Sequence, residues 1–130
     1  MRFRTRFLAL FVLALFTVAS VSALAADNPL ETLMKGVGKS MKTIKAAVQG
    51  GQTAGIAEAA NSIAAEVVKA KNYDPPKAKD RKAEIPALAD ECADAAKALA
   101  AATTPDDVQA KYKALGASCK KCHDIFQPEE

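Results

Sequence analysis

The sequence predicts an all-α fold, specifically an antiparallel four-helix bundle, and three observations support this prediction. Apolar residues recur at three- and four-residue steps in four separate segments, as on one face of a helix. Capping residues, prolines and glycines mark the ends of these segments. No segment alternates apolar and polar residues as a half-buried strand would. Because the connections are short, consecutive helices are expected to run antiparallel in a bundle.

The N-terminal segment has the composition of a secretory signal peptide. Residues 1–25 contain three arginines and no acidic residue, residues 7–24 are almost wholly apolar, and the segment ends in Ala-Leu-Ala. A basic start, an apolar stretch and a small-x-small ending predict export and cleavage. A retained transmembrane anchor is the alternative, because the apolar run nears the length that spans a bilayer. We therefore expect one domain over residues 26–130, with no membrane insertion after cleavage.

The composition of residues 26–130 limits the function classes. Three of the 18 basic residues and none of the 15 acidic residues lie in the leader, so the remaining domain carries 15 of each. Without net positive charge, nucleic acid and anionic membranes are not expected partners. The domain has 24 alanines, no tryptophan and only three aromatic residues. Because alanine buries little area, a partner subunit or a bulky cofactor is expected to complete the core.

The first helix has clear boundary signals. Asn28 is a predicted N-cap, Pro29 occupies the first helical position, and Gly50-Gly51 ends the helix. One apolar stripe follows the helix at three- and four-residue steps: Leu30, Met34, Val37, Met41, Ile44 and Val48.

The other three helices are also delimited by local signals. The second is expected to begin near Gln52 or Thr53 and to end before two prolines, after which residues 77–83 form a surface loop or an early helical turn. The third has Pro86 in its first turn and runs to about Ala102, and the fourth is capped by Thr104. The predicted inward residues are Ile56, Ala60, Ile63, Val67 and Ala70; Ile85, Leu88, Cys92, Ala95 and Leu99; and Val108, Tyr112, Leu115, Cys119, Cys122 and Phe126.

One motif carries recognisable chemistry, the Cys-x-x-Cys-His sequence in the fourth helix. Cys119 and Cys122 are expected to bind one haem c through thioether bonds, with His123, the only histidine in the chain, as proximal iron ligand. A zinc site would need Cys92 as a distant fourth ligand. A redox-active cysteine pair normally follows a strand, and a disulfide between residues three apart on a helix is geometrically awkward. Haem is therefore favoured over all three alternatives.

The chain resembles the cytochrome c′ family. The residues that carry the resemblance are the segment 116–124 (GASCKKCHD), near the C-terminus, and the start of the first helix. The resemblance implies an antiparallel four-helix bundle with haem between the helices near one end and the first helix along the distal face. Export to the periplasm fits this resemblance, because c-type haem is attached outside the bacterial cytoplasm. Family members are often homodimers through the first two helices, although the outward residues of the first helix are basic here, which argues against an apolar dimer face: Lys35, Lys39, Lys42 and Lys45.

Members of this family differ in the residue that faces the iron on the side away from the histidine, which is His123 here. Its low-spin members place a methionine ligand in the first helix, and Met34 falls at that position. From spacing alone, Met34 is instead a core residue of the apolar stripe. The five-coordinate members usually carry a basic residue at the position of Gln127 and often an arginine at that of Leu30, so both positions depart from that group. Without that arginine, the candidate partners of the haem propionates are Lys35, Lys39 and Lys42. Solvated lysines are the simpler interpretation of all three.

These observations predict a periplasmic electron-transfer protein whose haem iron is held by His123 and Met34 and which exchanges electrons with redox partner proteins. The alternative is a five-coordinate protein that binds nitric oxide or carbon monoxide. Catalysis is not expected, since no second histidine supplies a distal acid–base group. A haem-free bundle with a chance motif is the remaining possibility.

Other residues near the motif receive structural interpretations. Cys92 is expected to be a small buried residue, with an intermolecular disulfide as the alternative. Tyr112 is expected to pack near the haem edge. The lysines around the motif are interpreted as solvated, with docking to an acidic partner as the alternative: Lys111, Lys113, Lys120 and Lys121.

Overall fold

The computed structural model describes residues 28–127, and within this range the chain is helical, with four α-helices and no strand. The predicted signal peptide, residues 1–25, lies outside the described residues. No helix in the described part is long and apolar enough to cross a membrane. The helices are α1 (Pro29–Gln49), α2 (Ile56–Val67), α3 (Ile85–Ala100) and α4 (Pro105–Phe126), with 3₁₀ segments at Val68–Asn72 and Lys79–Glu84.

The starts of α1 and α4 confirm the predicted caps. The Asn28 side chain accepts a hydrogen bond from the Leu30 N–H at 2.9 Å, and Pro29 occupies the first helical position. At α4, the Thr104 hydroxyl accepts from the Asp107 N–H at 3.2 Å. Both caps satisfy an amide that has no partner within its own helix. Each start is therefore determined by side chains next to the helix.

The predicted start of α2 was wrong, since the helix begins at Ile56 and not at Gln52 or Thr53. The Gln52 N–H is already used at the end of α1, where it donates to the Ala47 carbonyl at 2.9 Å. Gly51, with φ +64°, donates to the Val48 carbonyl at 3.1 Å, and together these two bonds form a Schellman motif. Gly55, also at positive φ, then redirects the chain into α2.

The core consists of a large cluster shared by all four helices and a smaller cluster at one end. In the large cluster Ile44, Ile63, Leu99 and Leu115 are fully buried. The small cluster lies between the start of α1 and the end of α4, and contains Leu30, Leu33, Ala70, Ile85 and Phe126. The half-buried Met34 packs against both clusters and therefore lies where they meet.

The helices do not pack equally closely with one another. α1 packs along α2, α2 along α3 and α3 along α4, whereas α1 and α4 make far fewer approaches to each other. The side of the molecule between α1 and α4 is therefore the least filled, and the candidate site is found there.

We expect Leu99→Ala to destabilise the protein by about 2–5 kcal/mol, because it removes a fully buried side chain from the centre of the large cluster. Urea unfolding followed by circular dichroism measures this change as a lower midpoint. Gln109→Ala, a truncation at an exposed position of α4, is the matched control and should change stability by less than about 0.5 kcal/mol. Equal effects of the two substitutions would contradict this description of the core.

Candidate functional site

Two adjoining cavities lie where α1 and α4 separate. Their volumes are about 560 Å³ and about 380 Å³, within the range of about 300–1,000 Å³ that small-molecule sites occupy. Residues from α1, α3 and α4 contribute to both walls, and the residues common to the two cavities are Met34, Ala70, Ile85, Cys122 and His123. The cavities are therefore two parts of one cleft.

The structure brings all four sequence-predicted site residues to this cleft. Met34 reaches it from α1, whereas Cys119, Cys122 and His123 reach it from the last turns of α4. Cys119 borders the smaller cavity and the other three border both. Both cysteines are half-buried and His123 is exposed. The cleft thus has the Cys-x-x-Cys-His motif on one helix and a thioether sulfur on another.

The walls of the cleft are mainly apolar. The larger cavity is lined by Leu30, Ile85 and Phe126, and the smaller by side chains that include Val37, Val67 and Leu88. Besides His123, the polar and charged residues in the wall of the larger cavity lie in or next to the first two turns of α1 and at the end of α4: Asn28, Glu31, Lys35 and Gln127. Apolar walls with a few polar groups suit an apolar molecule that carries polar substituents.

Glycine leaves room along the smaller cavity. Gly38 of α1 and Gly116 of α4 both line it, and a Cβ added at either position would meet no atom within 4 Å. The absence of a side chain at Gly116 therefore leaves open space beside the α4 backbone. Gly36 is exposed and lines neither cavity, so the cleft offers no explanation for a glycine at that position.

Cys92 makes a contact that the sequence did not predict. Its sulfur on α3 lies 3.4 Å from the Cys119 sulfur on α4, and the two share a hydrogen bond. That hydrogen bond lowers the pKa of the Cys92 thiol to about 7, although burial opposes the shift. The same bond, and then burial, raise the pKa of Cys119. Burial also raises the pKa of Cys122. The first proton thus leaves the Cys92–Cys119 pair more readily than the second.

The burial of Cys92 confirms its predicted place in the core. Only 3% of the residue is exposed, and it borders the smaller cavity. An intermolecular disulfide, the alternative drawn from the sequence, does not fit this burial, because a second chain cannot reach the sulfur. Both Cys92 and Cys119 belong to predicted inward stripes, but sequence alone does not set the register between two helices.

Ion pairs involve several of the lysines near the cleft. Lys120 pairs with Asp124 at 2.7 Å, Lys121 pairs with Glu91 of α3, and Lys35 pairs with Glu31 at 3.1 Å. All of these groups are exposed, so each pair contributes little stability.

Tyr112 packs against the large core cluster and lines neither cavity, so its expected position at the edge of the site is not observed.

Within residues 28–127, no three histidine, cysteine, aspartate or glutamate side chains are grouped to hold a metal ion. A haem iron needs only one or two protein ligands, because the porphyrin supplies the others. Compared with models of protein families, with curated proteins and with solved structures, the chain has no match.

Proposed function

We propose that the chain is an exported c-type cytochrome that carries one covalent haem and transfers single electrons. In this proposal the helices form an antiparallel four-helix bundle, with haem in the cleft between α1 and α4. The observation that carries the proposal is that Cys119, Cys122 and His123 line the same apolar cleft as Met34, which belongs to a different helix.

The residues at the cleft fit the chemistry of haem c. Two half-buried cysteine thiols provide the sulfur atoms that form thioethers with the vinyl groups. The imidazole of His123 provides a nitrogen ligand for iron. The apolar walls exclude water from a macrocycle, and the lining residues Asn28 and Lys35 are suited to its carboxylates. Bound haem would supply an iron centre that changes reversibly between the ferric and ferrous states.

We assign Met34 as the sixth ligand. It is half-buried at the junction of the two core clusters and lines both cavities, so its thioether is held beside the space common to them. A soft thioether ligand favours ferrous iron and raises the reduction potential, which suits electron transfer. In the competing five-coordinate protein, the same side chain would only fill space and nitric oxide or carbon monoxide would bind the iron.

The proposed location and partners follow from the predicted signal peptide, residues 1–25, and from the equal numbers of basic and acidic residues in the remaining domain. Cleavage after Ala25 would release residues 26–130 into the periplasm, where haem c is attached. Soluble or membrane-bound redox proteins are the partners, and a homodimer is compatible with the proposal. No catalytic role is assigned, because His123 is the only histidine and is already used as a ligand.

Visible spectra of the exported, purified protein test this function. The protein is measured oxidised and reduced, with and without carbon monoxide. We expect a low-spin haem spectrum with the weak far-red band of a methionine–iron bond, and little immediate response of the reduced protein to carbon monoxide. A high-spin spectrum that changes at once with carbon monoxide would instead establish the gas-binding function.

We expect Gly116→Leu to decrease the fraction of exported chains that carry haem. The new side chain would extend into open space beside the smaller cavity, where the macrocycle is proposed to lie. Gly36→Leu is the matched control, because it adds the same side chain to an exposed helical position outside the cleft. The ratio of haem absorbance to protein concentration measures the effect. Full haem content in Gly116→Leu would contradict the proposed position of the haem.

A further inference from the structure

We infer that Cys92 and Cys119 form a disulfide in the haem-free chain, and that this bond withholds Cys119 from haem attachment until it is reduced. The disulfide itself follows from the contact between the two sulfurs. Its consequence for haem attachment rests on the proposed function. The site of modification is thus the Cys92–Cys119 pair, which joins α3 to α4.

The geometry selects this pair among the three cysteines. The Cys92 and Cys119 sulfurs are 3.4 Å apart, and a disulfide bond is about 2.05 Å long. The two sulfurs must therefore approach by about 1.4 Å, between helices that already pack along each other. Cys119 and Cys122 lie three residues apart on one helix, where the required geometry is strained. The buried Cys92 has no access to another chain.

The chemistry requires an oxidant, and a small-molecule or protein disulfide supplies it. The Cys119 thiolate, the more exposed of the two, attacks the external disulfide, forms a mixed disulfide and releases one thiol. The second thiolate then displaces the other thiol and closes the Cys92–Cys119 bond. Overall, two protein thiols lose two electrons and two protons, and the external disulfide is reduced to two thiols. The lowered pKa of Cys92 increases the thiolate fraction at neutral pH.

The disulfide and the thioether exclude each other at Cys119. Attachment adds the thiol S–H across a vinyl double bond, so it requires a reduced sulfur and consumes no electrons. A sulfur bonded to Cys92 lacks that hydrogen, and a sulfur already in a thioether has no thiol left for a disulfide. The redox state of the Cys92–Cys119 pair thus decides whether Cys119 is ready to receive haem. After attachment, Cys92 remains a buried thiol.

Peptide mapping of the haem-free full-length chain tests the disulfide. The chain is exported in a bacterial host that lacks the haem-attachment proteins, exposed to oxidised glutathione, alkylated and digested with trypsin without reduction. Trypsin separates the cysteines into three peptides, with Cys92 in residues 83–97, Cys119 in residues 114–120 and Cys122 in residues 122–130. We expect residues 83–97 joined to residues 114–120, a link lost on reduction, and an alkylated Cys122.

Cysteine variants show whether the link is the one that the contact between α3 and α4 predicts. Cys122→Ser should keep the link, whereas Cys119→Ser should leave Cys92 and Cys122 alkylated. An unfolded chain would favour the nearby Cys119–Cys122 pair. A link between residues 114–120 and 122–130, or alkylation of all three cysteines, would overturn the inference.

Attachment of haem at Cys119 gives a second, separate readout. When the attachment proteins are present and oxidised glutathione is in excess, peptide mapping should find haem bonded to Cys119 on a larger fraction of Cys92→Ser chains than of wild-type chains. Equal fractions would refute the proposed block. If the wild type forms the link but neither the wild type nor Cys92→Ser takes up haem, the cytochrome function would be refuted and the disulfide would be confirmed. A chain that takes up haem but never forms the link would refute the disulfide alone.

Discussion

Met34→Ala is expected to convert the exported protein from a low-spin to a high-spin haem protein. Removal of the thioether leaves the iron without a second ligand from the protein and enlarges the space common to the two cavities. The far-red band of the methionine–iron bond should disappear, the reduced protein should bind carbon monoxide at once, and the reduction potential should fall. Visible spectroscopy and a redox titration measure all three changes.

Met41→Ala is the matched control for this experiment. Met41 is the same residue type on the same helix face, is also half-buried and lines the smaller cavity, but lies about 10 Å further along α1. We expect this variant to keep the low-spin spectrum. Loss of the far-red band in Met41→Ala, with the band retained in Met34→Ala, would assign the sixth ligand to Met41. No change in either variant would contradict a methionine ligand from α1.

The double substitution of Cys119→Ser and Cys122→Ser is expected to abolish covalent haem altogether. Each sulfur is assigned one thioether bond, so either single substitution should leave haem attached through the other cysteine. A serine hydroxyl does not replace a thiol in this addition. The intact mass of each exported variant, measured after extraction with acidified solvent, distinguishes attached from dissociable haem.

Cys92→Ser provides the control for the cysteine series. It removes a thiol that contacts Cys119 but is not part of the Cys-x-x-Cys-His motif, so covalent haem should be retained. If the double variant still carried haem that resists extraction, the assignment of the attachment site would be wrong. The same conclusion would follow if Cys92→Ser lost its haem.

The sequence predicted the helices best where the controlling interactions are local. Asn28 and Thr104 cap the helices that follow them, and each cap involves only residues two or three positions away. The apolar stripes likewise identified fully buried residues such as Ile44 and Leu99. Leu33 was missed, because it lies beside the α1 stripe and is buried by a small cluster that includes Ala70, Ile85 and Phe126 from distant parts of the chain.

The parts that could not be predicted depend on interactions between segments. The predicted start of α2 was wrong because the local sequence allows Gln52 to begin α2 or to end α1. In the structure its N–H donates to the Ala47 carbonyl, in the Schellman motif at the end of α1. From composition alone, the scarcity of large side chains predicted only that a partner or cofactor completes the core, and the family resemblance implied a haem site near one end beside the first helix. In the structure, the position of the cleft follows from the wider separation of α1 and α4. The Cys92–Cys119 contact depends on the register of α3 against α4, which no local pattern in the sequence specifies.

Surface charge gives a weaker prediction than the cleft. Of the four lysines around the motif, Lys120 and Lys121 pair with Asp124 and Glu91. Their charges are therefore partly compensated, and an acidic partner would be attracted less strongly than the sequence suggests. This supports the interpretation of these two side chains as an ordinary solvated surface.

Whether this protein carries covalent haem is measured most directly by the intact mass of the exported wild-type protein after extraction with acidified solvent. We expect the mass of residues 26–130 plus one haem, because in the proposed function Cys119 and Cys122 hold the group covalently and the signal peptide, residues 1–25, is removed. The mass of the polypeptide alone, in a host that attaches haem to other cytochromes, would contradict it.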